Sequence, residues 1–326
     1  MRSYSTTAQA FTLIELLVTI AILALLIGIL LPSLSSAKET AKLVTCASNL
    51  RQIGIGTLAY SLSNDETYCS GPFDNRELNS YGPIDEAGWL ADMVNGEYLV
   101  PGNFLCPSNP AQYTQNMTMD RLHDNRPQKS FTEEERNKLI KAGYNTNYTM
   151  SWYFGFTEMR EPRNAYVGSP KKIDSVIGPL SDRFLARVSP VRVPLMADGR
   201  TDGALEDYED FGEGPMRVAK AFGDGPVRYP SGLWGRQNYA DFGPAHIRTP
   251  KTNSDDHDRS KGNILFADGH VQNFKDDDRN GGFGWDLPPG GALPSNDKYP
   301  EIEEHVFGGH LSSGRFTNPG SPLRNR

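Results

Sequence analysis

The chain begins with a long apolar run that follows a short polar leader. Between residues 11 and 31 every side chain is apolar or small except the carboxylate of Glu15, and the leader at residues 1–10 carries one positive side chain, Arg2. A helix of this length spans roughly 30 Å, the thickness of the hydrocarbon core of a bilayer. The apolar region of a secretory signal is usually only about 7–15 residues long. The pattern therefore predicts a transmembrane helix over residues 11–31.

The helical pattern continues beyond the apolar run. Apolar and small side chains recur at alternating steps of three and four, which places them on one stripe of a helix; they are Leu43, Cys46, Leu50, Ile53, Thr57 and Tyr60. Asn64 and Asp65 then supply a stop. We expect one helix over residues 11–63 whose second half packs its stripe against a domain, because such a stripe is more typical of packing than of a cofactor site.

The remaining pattern predicts a head with short elements over residues 64–279. Residues 89–94 read as a short helix ending near Gly96. Residues 132–142 read as another, with a capping box formed by Thr132 and Glu135 and a stop at Gly143. Residues 191–197 read as a strand, and Pro194 within it favours the edge of a sheet.

A hairpin is predicted near the end of the head. Residues 263–267 and 270–274 are β-prone and are joined by Asp268 and Gly269. An Asp-Gly pair is typical of a two-residue turn, and counting outward from it pairs Phe266 with Val271. The fold class that results is α+β, with a long amino-terminal helix packed on a mainly antiparallel sheet.

Composition changes this picture at three points. Fifteen of the last 46 residues are Gly or Pro, so residues 280–326 are predicted to be an extended or flexible tail, in which Trp285, Tyr299 and Phe307 are able to dock locally.

The net charge of −7 argues against a nucleic-acid partner. Three cysteines without a CxxC pair give no zinc motif. A disulfide between Cys46 and Cys106 and a buried free thiol at Cys46 both stay open.

The first residues of the apolar run resemble a known signature. The string Ala10-Phe11-Thr12-Leu13-Ile14-Glu15 is similar to that of type IV prepilins and type II secretion pseudopilins, although Ala10 stands where Gly is usual. The resemblance implies cleavage before Phe11 by a prepilin peptidase that also methylates the new amine, a role for Glu15 in docking subunits, and a helix kink at Pro32. An uncleaved signal anchor is the alternative.

The resemblance also implies partners and a location. The partners are the prepilin peptidase, other pilin or pseudopilin subunits and the inner membrane, with the head outside the cytoplasm. The positive-inside rule gives no orientation by itself, because Lys38, Lys42 and Arg51 follow the apolar run while only Arg2 and the start amine precede it.

A second resemblance covers parts of the head. His257 followed by the predicted hairpin is similar to the carboxy-terminal H-X9-DG element of prepilin-type proteins that are abundant in planctomycetes, although ten residues separate His257 from Asp268 here. Residues 45–54 and the Cys-Pro turn at residues 104–108 also resemble that set. We interpret His257, Asp268 and Gly269 as structural; a catalytic His–Asp pair and a metal ligand at His257 are the alternatives.

No cofactor and no catalytic residue is predicted from the sequence. The chain contains no GxSxG serine and no HExxH pair. The acidic runs at residues 202–213 and 276–278 are expected to be solvated loops, with calcium in a head loop as the alternative because carboxylates suit that ion. The leading interpretation is a structural subunit of a pilus or pseudopilus. A membrane-tethered binding protein that never polymerises and an anchored enzyme are the competing ones.

Overall fold

The computed structural model describes most of the amino-terminal helix and the head. The described residues are 12–75, 81–123, 127, 129–160, 170–200, 208–212, 214–228, 234–248, 259–277, 280–284, 301–302 and 305–311. Residues 1–11 lie outside this set, and they include the predicted cleavage site at Ala10 and Phe11. His257 also lies outside it.

One helix dominates the amino-terminal part of the chain. Helix α1 spans Leu13–Ser63, and Asn64 caps its carboxyl end at the stop that the sequence predicts. Its predicted stripe is confirmed, because Cys46, Leu50, Ile53 and Thr57 are fully buried. The buried half of α1 packs across strands β10 (His246–Arg248), β11 (Arg259–Phe266) and β12 (Val271–Lys275).

Close contact between α1 and the sheet depends on a glycine. A Cβ atom at Gly54 would lie only 2.8 Å from Cδ1 of Leu265 in β11. Real Cβ atoms do not approach so closely, so a larger residue here would force the Leu265 side chain or the helix to shift. Gly54 therefore permits the close approach of α1 to β11.

The other helices are short and lie in the head. They are α2 (Trp89–Asn95), α3 (Met119–His123), α4 (Glu133–Ala142), α5 (Trp152–Gly155) and α6 (Asp182–Leu185). The predictions for α2 and α4 are confirmed. In α4 the Thr132 hydroxyl accepts from the Glu135 amide at 3.2 Å, the Glu135 carboxylate accepts from the Thr132 amide at 2.7 Å, and Gly143 closes the helix in the left-handed conformation.

The central sheet is antiparallel. Its described strands run in the order β10, β11, β5 (Pro194–Asp198) and β2 (Tyr148–Met150), and β12 also pairs with β11. Smaller sheets join β1 (Tyr113–Thr114), β7 (Pro215–Ala219) and β6 (Tyr208–Asp210); β3 (Glu158–Met159) and β4 (Val176–Ile177); and β8 (Gly225–Arg228) and β9 (Trp234–Asn238). The α+β class with a mainly antiparallel head is confirmed.

The predicted edge strand at residues 191–197 is wrong in both position and extent. Strand β5 begins at Pro194 and lies between β11 and β2, inside the sheet. Residues 190–192 form a short 3-10 turn instead. Proline is tolerated as the first residue of a strand, where its missing donor removes no bond from the middle of the ladder. Pro194 therefore marks the start of an inner strand.

The hairpin is present, but its register differs from the prediction by one residue. Val271 pairs with Leu265 and not with Phe266. The amide of Gly269 donates to the carbonyl of Phe266 at 2.9 Å, and the amide of Phe266 donates to the carbonyl of His270 at 3.0 Å. With Gly269 at φ +83°, this is a type I turn followed by a left-handed bulge residue. The bulge inserts the extra residue that shifts the pairing.

Described residues near the carboxyl end are packed into the head, in contrast to the predicted extended tail. Five of them are fully buried: Phe283, Ile302, Val306, Phe307 and Leu311. The ring of Phe307 stacks on that of Tyr153 with centroids 6.0 Å apart, and its amide donates to the carbonyl of Arg192 at 2.7 Å. The division between head and tail at residue 280 stays a prediction.

Candidate functional site

The amino-terminal turn of α1 is capped by its own side chains. The amide and the hydroxyl of Thr12 donate to the same Glu15 carboxylate oxygen at 2.9 and 2.7 Å, and the Glu15 amide donates back to the Thr12 hydroxyl at 3.3 Å. This capping box fixes the start of the helix. It also holds the carboxylate of Glu15 beside the amide of Thr12, the residue that follows Phe11 in the sequence.

The first part of α1 is apolar on every side. From residue 13 to residue 34 its large apolar side chains are all at least 47% exposed: Leu13, Ile14, Leu16, Leu17, Val18, Ile20, Ile22, Leu23, Leu25, Leu26, Ile27, Ile29, Leu30, Leu31 and Leu34. The helix is long and apolar enough to cross a membrane. A helix that is hydrophobic all round requires lipid or other apolar helices around it. This surface is consistent with membrane anchoring.

Position 32 lies inside this helix. Helix α1 continues through Pro32 from Leu13 to Ser63. Proline lacks the amide that would donate to the preceding turn, which is why it bends helices. The kink at Pro32 stays a prediction.

The predicted carboxy-terminal motif is described only at its turn. Asp268 is exposed, and its carboxylate accepts from the amide of His270 at 3.2 Å and lies 2.5 Å from Nδ1 of the same residue. Asp268 and Gly269 thus shape the hairpin turn. His257 lies outside the described residues, so its structural role stays a prediction.

The acidic runs are described only in part. Residues 202–207, 213 and 278 lie outside the described part of the chain. Asp276 is buried, not solvated as expected, and its carboxylate accepts from the amide of Gly281 at 3.0 Å. Asp277 is exposed. The calcium alternative stays untested by these contacts.

A different group of polar side chains converges inside the head. Cys46 on α1, Cys106 in the Cys-Pro turn, Asp198 at the end of β5 and His246 at the start of β10 are each fully buried. One ligating atom from each lies within 4.8 Å of all the others. We refer to these four residues as the buried cluster.

Hydrogen bonds connect the members of the buried cluster. The Cys46 thiol lies 2.9 Å from one carboxylate oxygen of Asp198, and Nε2 of His246 lies 3.2 Å from the other. The same Nε2 lies 3.4 Å from the sulfur of Cys106. The sulfurs of Cys46 and Cys106 are free thiols in the structure. The disulfide between them stays a prediction.

The protonation of the buried cluster follows from burial and from these contacts. Burial raises the pKa of Cys46 well above its usual value, and the nearby Asp198 carboxylate raises it further. Burial also opposes ionisation of Asp198, but hydrogen bonds from His246 and Cys46 outweigh it and lower the pKa of that carboxyl. Burial disfavours a charged His246, yet Asp198 and Cys106 raise its pKa to about 10. These directions favour the charged forms of Asp198 and His246 and the neutral thiol of Cys46.

Two members of the buried cluster were not identified from the sequence. Cys46 and Cys106 were singled out as a disulfide pair, but Asp198 and His246 were not. The four residues form no linear motif, because Cys46 and Asp198 are 152 residues apart and Cys106 and His246 are 140 apart. The only sequence signal is a weak one: Asp198 directly follows the apolar run Leu195-Met196-Ala197.

Comparison with known families bears on the amino terminus alone. Residues 6–31 match the family described as the prokaryotic N-terminal methylation motif. The match supports a prepilin-type amino terminus and, with it, a type IV prepilin-like protein. No curated protein and no solved structure matches the chain.

Proposed function

We propose that this chain is a structural subunit that is processed by a prepilin peptidase and assembled through α1 into a pilus or pseudopilus. The observation that carries the proposal is the methylation motif at residues 6–31. In the proposed processing, water hydrolyses the bond between Ala10 and Phe11. A methyl group from the enzyme's methyl donor then replaces one hydrogen of the new amine.

The exposed surface of α1 supports assembly through this helix. Its apolar half has no covering in the described part of the chain, so neighbouring helices of the same kind would bury it as lipid does. A carboxylate within an apolar segment costs on the order of 2–3 kcal/mol and therefore tends to have a partner. The amine of Phe11 in a neighbouring subunit is the partner we propose for Glu15.

Processing is tested by the intact mass of the protein taken from membranes. We expect the mass of residues 11–326 plus one methyl group. A full-length mass, or a mass that corresponds to cleavage elsewhere, would leave an ordinary signal anchor and remove the chemical basis of the proposal.

Assembly is tested by substituting Glu15. We expect Glu15→Ala to abolish recovery of the subunit in the sheared filament fraction while the mass still shows cleavage and methylation. The matched control is Glu39→Ala, because Glu39 lies on the same helix beyond the apolar run and pairs with Lys42 at 3.0 Å. Undiminished assembly of Glu15→Ala would contradict the docking role of Glu15, and the absence of any filament from the wild type would favour the membrane-tethered binding protein.

A further inference from the structure

The buried cluster brings chemically reactive groups together at a place without solvent. Its four residues come from a helix, a turn and two strands, and none has exposed surface. Burying ionisable groups costs several kcal/mol unless each is paired. A packed core would ordinarily contain apolar side chains at four such positions, so the cluster requires a reason.

Hydrogen bonding satisfies Asp198, which accepts from Cys46, His246 and Asn263, but it does not satisfy every group of the cluster. Cysteine is a weak donor and a weak acceptor, so the two thiols contribute little to compensating the burial of the other groups. Nδ1 of His246 is buried and has no hydrogen-bond partner among the described residues. The polar contacts of this ring are all made by Nε2, which points at Asp198 and Cys106.

We propose that Cys46, Cys106, Asp198 and His246 bind one zinc ion. Two sulfurs, one imidazole nitrogen and one carboxylate oxygen form the mixed donor set that suits this borderline-soft cation. Magnesium and calcium prefer oxygen ligands alone, and a site with two sulfurs excludes them.

The ligating atoms all lie within 4.8 Å of one another, close to the separations that a tetrahedral site needs. Bonds of about 2.0–2.3 Å to zinc give separations of about 3.3–3.8 Å between ligand atoms. Nε2 of His246 lies 3.4 Å from the Cys106 sulfur and 3.2 Å from the Asp198 oxygen. The Cys46 sulfur lies 2.9 Å from the other oxygen of Asp198. Small movements of these side chains are sufficient to surround an ion.

Neighbouring side chains hold the ligands in place. The amide of Asn263 donates to the Asp198 carboxylate at 2.8 Å, and its side chain donates to the same oxygen at 3.3 Å. Asn147 accepts from the amide of Cys106 at 2.8 Å and donates to its carbonyl at 3.0 Å. Such outer contacts orient metal ligands. Asn263 and Asn147 are therefore positioning residues.

The charges and protons balance when zinc binds to Cys46 and Cys106 as free thiols. Zinc takes thiolates and neutral imidazole, so each cysteine loses its thiol proton to solvent, and the His246 ring loses its Nε2 proton to solvent and binds through the lone pair that this leaves. The ion carries two positive charges against two thiolates and one carboxylate. No bond to carbon changes and no electron is transferred.

The site would be structural, not catalytic. Four protein ligands close the coordination of zinc and leave no position for a substrate. Because Cys46 lies on α1 and the other three ligands lie in the head, the ion would fasten the helix to the head. The inference goes beyond the proposed function, since it does not depend on residues 10–31, and its failure would leave the processing result unchanged.

Metal content of the wild-type protein provides the first test. The full chain is purified in detergent without chelator and loaded with zinc, and its metal is measured by mass spectrometry. We expect about one zinc ion per chain. Cobalt is then substituted, and we expect the intense visible bands of tetrahedral cobalt with the near-ultraviolet charge transfer of cobalt bound to thiolate. No bound metal, or cobalt without the thiolate band, would overturn the proposal.

The mass of the denatured chain separates the alternatives. A wild-type mass lower by two hydrogens, together with one titratable thiol after removal of metal, would establish a disulfide and overturn the zinc site. Three titratable thiols without bound zinc would establish a hydrogen-bonded cluster and overturn it equally. Zinc together with three titratable thiols after chelation is the expected result.

Matched cysteine variants locate the ion. We expect Cys46→Ser and Cys106→Ser to reduce zinc content at least tenfold. Cys69→Ser is the control, because Cys69 is also fully buried but donates to the carbonyl of Phe154 at 3.2 Å, outside the cluster. Zinc retained by the first two variants would place the ion elsewhere. If those variants do not fold, the cobalt spectrum of the wild type decides.

Discussion

Gly269 is the residue on which the geometry of the hairpin turn depends. Its φ of +83° lies in the left-handed region, and a Cβ atom there would meet Cδ1 of Leu58 on α1 at 3.1 Å. Backbone strain in this region costs roughly 1–2 kcal/mol for a residue with a side chain. We therefore expect Gly269→Ala to lower the free energy of unfolding by about 1–2 kcal/mol, or slightly more, in denaturation of the full chain.

Gly212 serves as a control that separates the cost of backbone strain from the cost of the contact with Leu58. Gly212 has a similar φ of +98°, but an added Cβ atom there would meet nothing within 4 Å. Gly212→Ala should thus show only the backbone cost. If Gly269→Ala loses no more stability than Gly212→Ala, the contact between the hairpin and Leu58 does not constrain the turn.

Helix α4 is joined to the small sheet of the head by a buried ion pair. Nη1 of Arg136 donates to the Glu209 carboxylate at 2.8 Å, with side-chain exposures of 2% and 18%. The guanidinium carbon also lies 4.8 Å from the centre of the Phe211 ring. Removing one partner of a buried pair leaves the other charge uncompensated, at a cost of about 3 kcal/mol. We expect Arg136→Ala to lower the free energy of unfolding by that amount.

An exposed ion pair on α4 provides the control for Arg136→Ala. Lys138 pairs with Glu134 at 2.9 Å, but their side chains are 69% and 80% exposed. Exposed pairs contribute about 0–1 kcal/mol, so Lys138→Ala should change stability by no more than this. Equal losses of stability in the two variants would mean that the Arg136–Glu209 ion pair contributes no more than an exposed ion pair does.

Elements whose signals are local could be predicted from the sequence, and elements that depend on distant pairing could not. The capping box and the closing glycine of α4 lie within a dozen residues, and the stripe on α1 repeats every turn. The position of β5 was predicted wrongly because Pro194 indicates where a strand can start, not which strands lie beside it. The hairpin register was shifted because an Asp-Gly pair fits both a two-residue turn and a bulged turn.

The candidate sites show the same division. The motif at residues 10–15 is contiguous, so its resemblance to prepilins could be read directly, and the match at residues 6–31 supports it. The buried cluster is assembled by the sheet and the helix together. The stripe on α1 and the Cys-Pro turn single out Cys46 and Cys106, with their disulfide as one of two alternatives, but nothing near Asp198 or His246 in the sequence connects either residue with those cysteines.

For the molecule as a whole, helix α1 has two different environments. Its first half is apolar and exposed, which suits lipid or neighbouring subunits, while its second half is buried against the central sheet. Any pull on the apolar half passes to the head through the buried half. Cys46 lies near the start of that buried half, where a bond from the helix to the head would resist separation.

Removal of zinc should therefore loosen α1 from the head. At free zinc 100-fold above the dissociation constant, the bound ion stabilises the folded state by about 2.7 kcal/mol. We expect chelation of the wild type to lower its melting temperature, and added zinc to restore it. Cys69→Ser should respond in the same way, and Cys46→Ser should not respond.

Limited trypsin digestion shows where the loosening occurs. Helical residues are cleaved after local unfolding, so chelation should accelerate cleavage after Lys42 and Arg51, which flank Cys46 on α1. Cleavage after Lys138 on α4 has no connection with the cluster and serves as the internal reference. Equal acceleration at all three positions would indicate that zinc stabilises the head as a whole. Acceleration confined to α1 is the result expected if the ion fastens the helix that carries the methylation motif to the head.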